Sequence, residues 1–277
     1  MKTKWIFGSL LAATVLFFSA CTKEENIVDV TDNFEVVSQD DLEAESLVED
    51  ATDEIEAALE TWDPGGVQPR ECPTLTVVPA NGGFPRTVTI DFGEACEGRN
   101  GRTRSGKIIV QQTDTMSNTG ATRTFTFDGF AVDGAQFAGT KTVTNTGRDA
   151  DGNRTFKRTV TGASITYPDG TVSSWSGEQV ITQVAGANTR RLADDVFEIT
   201  GGSEGTNRMG KTFSTSIVDP LVKKKTCPWL VGGSKSVSRD DKTATLDYGD
   251  GQCNQFAILT LPDGTTKEIM LHRWWRR

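Results

Sequence analysis

Cys72-Pro73-Thr74-Leu75, followed by Thr87-Val88-Thr89-Ile90-Asp91-Phe92-Gly93 and then Cys96, is the stretch that decides the fold. It occurs a second time. Cys227-Pro228-Trp229-Leu230 is followed by Thr243-Ala244-Thr245-Leu246-Asp247-Tyr248-Gly249 and then Cys253. In both copies apolar residues alternate with Thr, Thr and Asp, the period of a strand with one face buried. A glycine turn follows, then a cysteine placed to bridge back to the first. The two copies read as disulfide-closed strand modules bracketing a β-rich domain.

Between the modules, turn signals arrive every 10–15 residues, and no helical apolar pattern separates the strands. Asp133-Gly134, Asp149 to Asn153, Pro168-Asp169-Gly170 and Pro262-Asp263-Gly264 are hairpin signals. The fold class is therefore all-β, with antiparallel sheet built from hairpins. A sandwich, an open barrel and a curved meander all fit the pattern. Strands are expected over 107–110, 122–132, 137–145, 155–167, 171–184, 196–200 and 211–218, with Gly201-Gly202-Ser203-Glu204-Gly205 as a hairpin loop.

Charge is unevenly spread. The chain of 277 residues carries a net charge of −9, yet residues 22–63 hold 16 Asp/Glu against one Lys. The rest is nearly balanced, and no basic stripe interleaved with aromatics speaks for nucleic acid. Residues 21–37 read as a tether. From Ser38, an N-cap before Asp40 and Asp41, the residues Leu42, Val48, Ala51, Ile55, Ala58 and Leu59 recur at helical spacing. One acidic helix over 38–62 is expected, either as a spacer or packed by its thin apolar stripe on the β-domain, residues 67–277.

The N-terminus reads as an address. Lys2 and Lys4 precede an apolar run from Trp5 to Phe18, then Ser19-Ala20-Cys21. That is a secretory signal peptide over 1–20, too short to span a bilayer. Leu16 to Cys21 resembles the lipobox of bacterial lipoproteins, which implies a lipid (diacylglyceryl and palmitate-type chains) on Cys21. Thr22-Lys23-Glu24-Glu25 resembles the export signal of surface lipoproteins in Bacteroidota. The implied location is the outer membrane, lipid-anchored and exposed at the cell surface, with a periplasm-facing anchor as the alternative.

Four cysteines remain in an oxidising compartment and permit three pairings. The duplication argues for Cys72–Cys96 and Cys227–Cys253, and the spacing carries no CxxC pair for zinc. No cofactor or metal is expected. Gly201-Gly202-Ser203-Glu204-Gly205 matches G-x-S-x-G, with Asp247 or Asp250 and His272 behind it, but the motif needs a strand-to-helix elbow that this context does not offer. Asp149-x-Asp151-x-Asn153 has Arg154 and Val160 where a calcium loop needs glycine and an acid, so it reads as a turn. Asp114-Thr115-Met116 resembles an O-glycosylation acceptor of Bacteroidota, on Thr115. Trp175, Trp274 and Trp275 are the candidates for stacking on a ligand.

Residues 70–277 resemble, in combination, a family of uncharacterised Bacteroidota lipoproteins. The resemblance is carried by Cys72 to Val110, Gly139 to Asn145, the Pro-Asp-Gly-Thr segment at 168–171, Gly205-Thr206-Asn207, Pro220-Leu221 and Leu246 to Cys253. It implies a secreted, lipid-anchored β-domain and transfers no catalytic residue. The expectation is a non-catalytic envelope lipoprotein, binding or structural, whose partners are the membrane through its lipid and an envelope polysaccharide or another protein. The alternative is a secreted hydrolase of a polysaccharide or ester, with Asp91 and Asp247 as the workers.

Overall fold

The computed structural model describes residues 72–97, 101–189 and 191–271, together with Phe34. The expected signal peptide, Cys21, the helix over 38–62, His272, Trp274 and Trp275 lie outside the described residues. So does the expected tether, Phe34 apart.

Fourteen strands follow one another: β1 (Thr74–Val78), β2 (Arg86–Asp91), β3 (Cys96–Glu97), β4 (Thr103–Gln112), β5 (Thr122–Val132), β6 (Ala135–Arg148), β7 (Arg154–Thr166), β8 (Val172–Ala185), β9 (Val196–Thr206), β10 (Thr212–Lys224), β11 (Leu230–Arg239), β12 (Lys242–Asp250), β13 (Phe256–Thr260) and β14 (Thr266–Met270). They form one open antiparallel sheet in chain order, with β3 paired to β4 off the main path. Every strand is joined to a ladder neighbour, so of the three architectures the sequence allowed, the chain adopts the meander. The turns do what their residues permit. Asp133 and Gly134 between β5 and β6 both have positive φ, 48° and 83°, which is the two-residue hairpin geometry matched to strand twist.

Directly paired residues share a face, so the ladder can be followed across the sheet. One row runs Val77, Val88, Val110, Phe125, Lys141, Val160, Gly177, Ser203, Thr215, Val237, Ala244. The adjacent row, on the opposite face, runs Thr87, Gln111, Thr124, Thr142, Thr159, Glu178, Gly202, Ser216, Ser236, Thr245, Thr260, Thr266. The alternation of the two modules thus extends over nearly the whole sheet, as an apolar face and a hydroxyl face.

On the apolar face two clusters form, one at each end. The first gathers Val88, Ile90 and Phe92 with Ile108, Val110, Phe130, Phe137 and Ile165; the rings of Phe92, Phe127, Phe130 and Phe137 meet at 5.4–6.0 Å between centroids. The second gathers Ala244, Leu246 and Tyr248 with Leu221, Ala257, Leu259 and Ile269. Val88, Ile90 and Leu246 are 0 % exposed, and each side chain so buried contributes about 1.5–3 kcal/mol. Phe34 is buried in the second cluster, with the Arg239 guanidinium 5.8 Å from its ring centre.

Two expectations are corrected. The glycine-rich segment 201–205 is strand, and β9 runs on to Thr206. Side chains here would prevent the ladder: a Cβ at Gly202 would overlap the Thr215 carbonyl of β10, and one at Gly205 the Ser174 carbonyl of β8. Likewise β10 continues past Val218 through Pro220 to Lys224. Register shifts between Ile217, Asp219 and Val222 absorb the proline, the position where a strand tolerates a residue without N–H.

Candidate functional site

The cysteine modules come first, because they held the carboxylates proposed for catalysis. Cys72–Cys96 and Cys227–Cys253 are both bonded, with Cα atoms 5.8 and 5.7 Å apart. In each module the aspartate caps the glycine two residues on. The Gly93 N–H donates to Asp91 Oδ1 at 2.9 Å, and the Gly249 N–H to Asp247 Oδ1 at 2.8 Å. The Lys107 ammonium stands 3.0 Å from the other Asp91 oxygen. The Gly93 N–H, then Lys107, hold the Asp91 carboxyl below its ordinary value. Asp91 lies on β2 and Asp247 on β12, with eight strands of the sheet between them. The structure does not bring the two together.

Ser203 of the G-x-S-x-G segment stands mid-strand, its hydroxyl 2.8 Å from the Thr215 hydroxyl. That hydrogen bond belongs to the ladder between β9 and β10. No elbow presents the oxygen. The Asp149 segment is the β6–β7 turn. Asp149 Oδ1 accepts the N–H groups of Asp151 and Asn153 at 3.0 and 2.8 Å, and Oδ2 faces the Asn153 amide. Among the described residues no group of three or more His, Cys, Asp and Glu could hold a metal ion. Thr115 is exposed in the β4–β5 connection, its N–H donating to Asp114 Oδ1 at 2.7 Å.

Of the three tryptophans proposed to stack on a ligand, Trp175 is described. It belongs to a groove of about 570 Å³ lined by β7 to β11. The register assembles this groove at one end of the strands. Ala163 pairs with Trp175, Trp175 with Gly205, and Gly205 with Phe213. The missing side chain of Gly205 leaves an indole and a phenyl on either side of bare backbone. The next row, Ser176, Glu204, Ser214 and Ser238, comes from the hydroxyl face. Arg239 and Asp240 complete the lining.

The two turns at the same end of the strands are tied together. The Arg208 guanidinium of the β9–β10 turn lies 3.8 Å from the Tyr167 ring centre. It also pairs with Asp169 of the β7–β8 turn at 2.8 Å. Thr171, through its hydroxyl and N–H, holds the Asp169 carboxyl below its ordinary value, and Arg208 adds to this. Phe213, Arg239 and Asp240 were not picked out in the sequence, and Glu204 only within the G-x-S-x-G match; they lie up to 77 residues from Ala163. Only the ladder register brings them into line with Trp175.

Compared with family models, curated proteins and solved structures, the chain matches none.

Proposed function

We propose that the protein is a lipid-anchored lipoprotein of the cell envelope, attached to the outer membrane through Cys21 and exposed at the cell surface. Its β-domain is non-catalytic and binds an envelope polymer or serves as a structural component. The anchor rests on the leader and the residues around Cys21, and on the resemblance to the uncharacterised lipoproteins of Bacteroidota.

One observation carries the non-catalytic reading. Asp91 and Asp247, the carboxylates best placed in sequence for hydrolysis, each accept the N–H of a glycine two residues later. Eight strands stand between them. Two carboxyl groups working on one glycosidic bond need to be about 5–10 Å apart across it.

For the ligand, the Trp175 groove supports a neutral polysaccharide. An open groove with aromatic rings, serine hydroxyls and the carboxylates of Glu204 and Asp240 suits sugar rings and their hydroxyls. The test has two arms. Cells expressing the wild type or Cys21→Ser are fed an alkyne fatty acid and shaved with protease; label and surface cleavage are expected in the wild type only. Purified protein is then titrated with envelope polysaccharides, where Trp175→Ala should weaken binding at least tenfold. Turnover of a glycoside or ester by the purified protein would overturn the reading.

A further inference from the structure

The ladder fixes which side chains meet along the groove. Ser174 pairs with Thr206, and Thr206 with Thr212. Two residues further along the strands, Ser176 pairs with Glu204, Glu204 with Ser214, and Ser214 with Ser238. Residues two apart on a strand share a face, so these groove residues form two adjacent rows on the hydroxyl face. Neighbours in a row stand one strand spacing apart, about 4.8 Å, and the two rows about 6.8 Å apart.

Glu204 is the one carboxylate in these rows, and it is exposed. Its neighbours are hydroxyls: Ser176 and Ser214 across the strands, and Thr206 on its own strand. Ser176 Oγ accepts the Gly162 N–H at 3.0 Å, which leaves the serine its own proton to donate. The side chains of Glu204, Thr206, Thr212 and Ser214 make no hydrogen bond or ion pair among the described residues. The other charged residues of the lining, Arg239 and Asp240, stand 3.6 Å apart as a pair. Glu204 therefore gives the groove one uncompensated negative charge, ringed by hydroxyls.

A carboxylate only accepts hydrogen bonds, and its two oxygens suit two donors side by side. Adjacent hydroxyls on a sugar ring supply such donors, while the serines and threonines around Glu204 can bond the remaining ring oxygens. A lone ammonium would gain little from a carboxylate so exposed. A carboxylated or sulfated glycan would bring like charge up to Glu204, which penalises it against a neutral one.

We propose that Glu204 is the specificity-determining residue of the groove: its carboxylate accepts two adjacent hydroxyls of one sugar ring, and its charge turns away acidic polysaccharides. The assignment rests on the reading of the groove as a polysaccharide site.

The experiment is affinity electrophoresis of the purified protein in gels that carry neutral polysaccharide from the cell envelope. The same polymer is also used after two treatments. Periodate followed by borohydride opens sugar rings at adjacent hydroxyls, and carboxymethylation adds carboxylates. The wild type should bind the untreated polymer about tenfold more tightly than either product. Glu204→Gln keeps the size of the side chain and removes its charge. It should bind the untreated polymer about fivefold more weakly than the wild type does, and the carboxymethylated polymer equally well. Its urea midpoint should match the wild type. Glu198→Gln, on the same face but outside the groove, should bind as the wild type does. No binding of the untreated polymer by the wild type would remove the polysaccharide reading and this proposal together. Wild-type binding that survives periodate, ignores carboxymethylation or is unchanged in Glu204→Gln would overturn this proposal alone. So would an equal loss in Glu198→Gln, or a lowered urea midpoint in Glu204→Gln.

Discussion

The ends of this sheet and its middle are built on the same ladder and the same alternation, yet they hold together differently. At the ends the apolar row reads Val77, Val88, Val110, Phe125 on one side and Val237, Ala244 on the other, and the residues are buried. In the middle the same row reads Gly177, Ser203, Thr215, all half-buried. Both regions share the antiparallel pairing; what differs is that the row's residues at the ends belong to packed apolar clusters, while even Val160 in the middle is only half-buried. Burial, and with it most of the stabilisation, is concentrated at the two ends. The disulfides are placed there too. The middle gains close strand approach from its glycines, and it is the region that carries the groove.

The largest effect that would sharpen this contrast is truncation in a cluster. Leu246→Ala should cost about 2–5 kcal/mol in urea unfolding, and Thr215→Ala, on the same face mid-sheet, much less. Equal losses would break the comparison. Replacing Cys227 and Cys253 together by Ser opens a loop with a separation of 26 residues and should cost roughly 3.5 kcal/mol. Gly205→Ala, forced against the Ser174 carbonyl, should cost about 1–3 kcal/mol as overpacking does. It should also weaken binding in the Trp175 groove, read by titration beside Trp175→Ala. On the hydroxyl face, Thr142→Ala loses the contact of its hydroxyl with that of Thr124, 3.3 Å away. A change within about 1 kcal/mol is expected there.

The smallest effect is with pH. Asp91, Asp114, Asp169 and Asp263 are held below the ordinary carboxyl value, chiefly by hydrogen bonds from Gly93, Asn118, Thr171 and Thr265 in turn. A depressed folded value means the unfolded chain binds protons more readily. Their contribution is thus complete above the unfolded value of about 3.9 and is lost as pH falls through the lower folded values. The urea midpoint should be flat from neutral pH to about 5 and should drop below about 4. A midpoint that rises on acidification would contradict these turn contacts.

Much of this was legible along the chain because it is local. Asp91 capping Gly93 and Asp247 capping Gly249 span two residues, and the hairpins at Pro168-Asp169-Gly170 and Pro262-Asp263-Gly264 are set by their own residues. The span of β5 was readable end to end. Segment 201–205 was misread because glycine pairs signal turns when neighbours are unknown. In the structure the neighbours, β8 and β10, are the reason for the glycines. Trp175 was legible as an aromatic among serines, but Phe213 and Arg239 were not tied to it, since a register across three strands is no property of a short stretch. Phe34 read as part of a tether, and only its burial against Leu246 and Leu259 reveals an anchor point.

By itself the sequence determined the all-β class, most of the strands and hairpin turns, the two cysteine pairings and the alternation that makes one face apolar. These follow from periods of two and from contacts a few residues apart. The tertiary structure alone decided that every hairpin joins one open sheet, that the apolar clusters form at its ends, and that a groove opens between them. Those outcomes depend on which side chains the ladder places in a row, and that requires every strand's register at once.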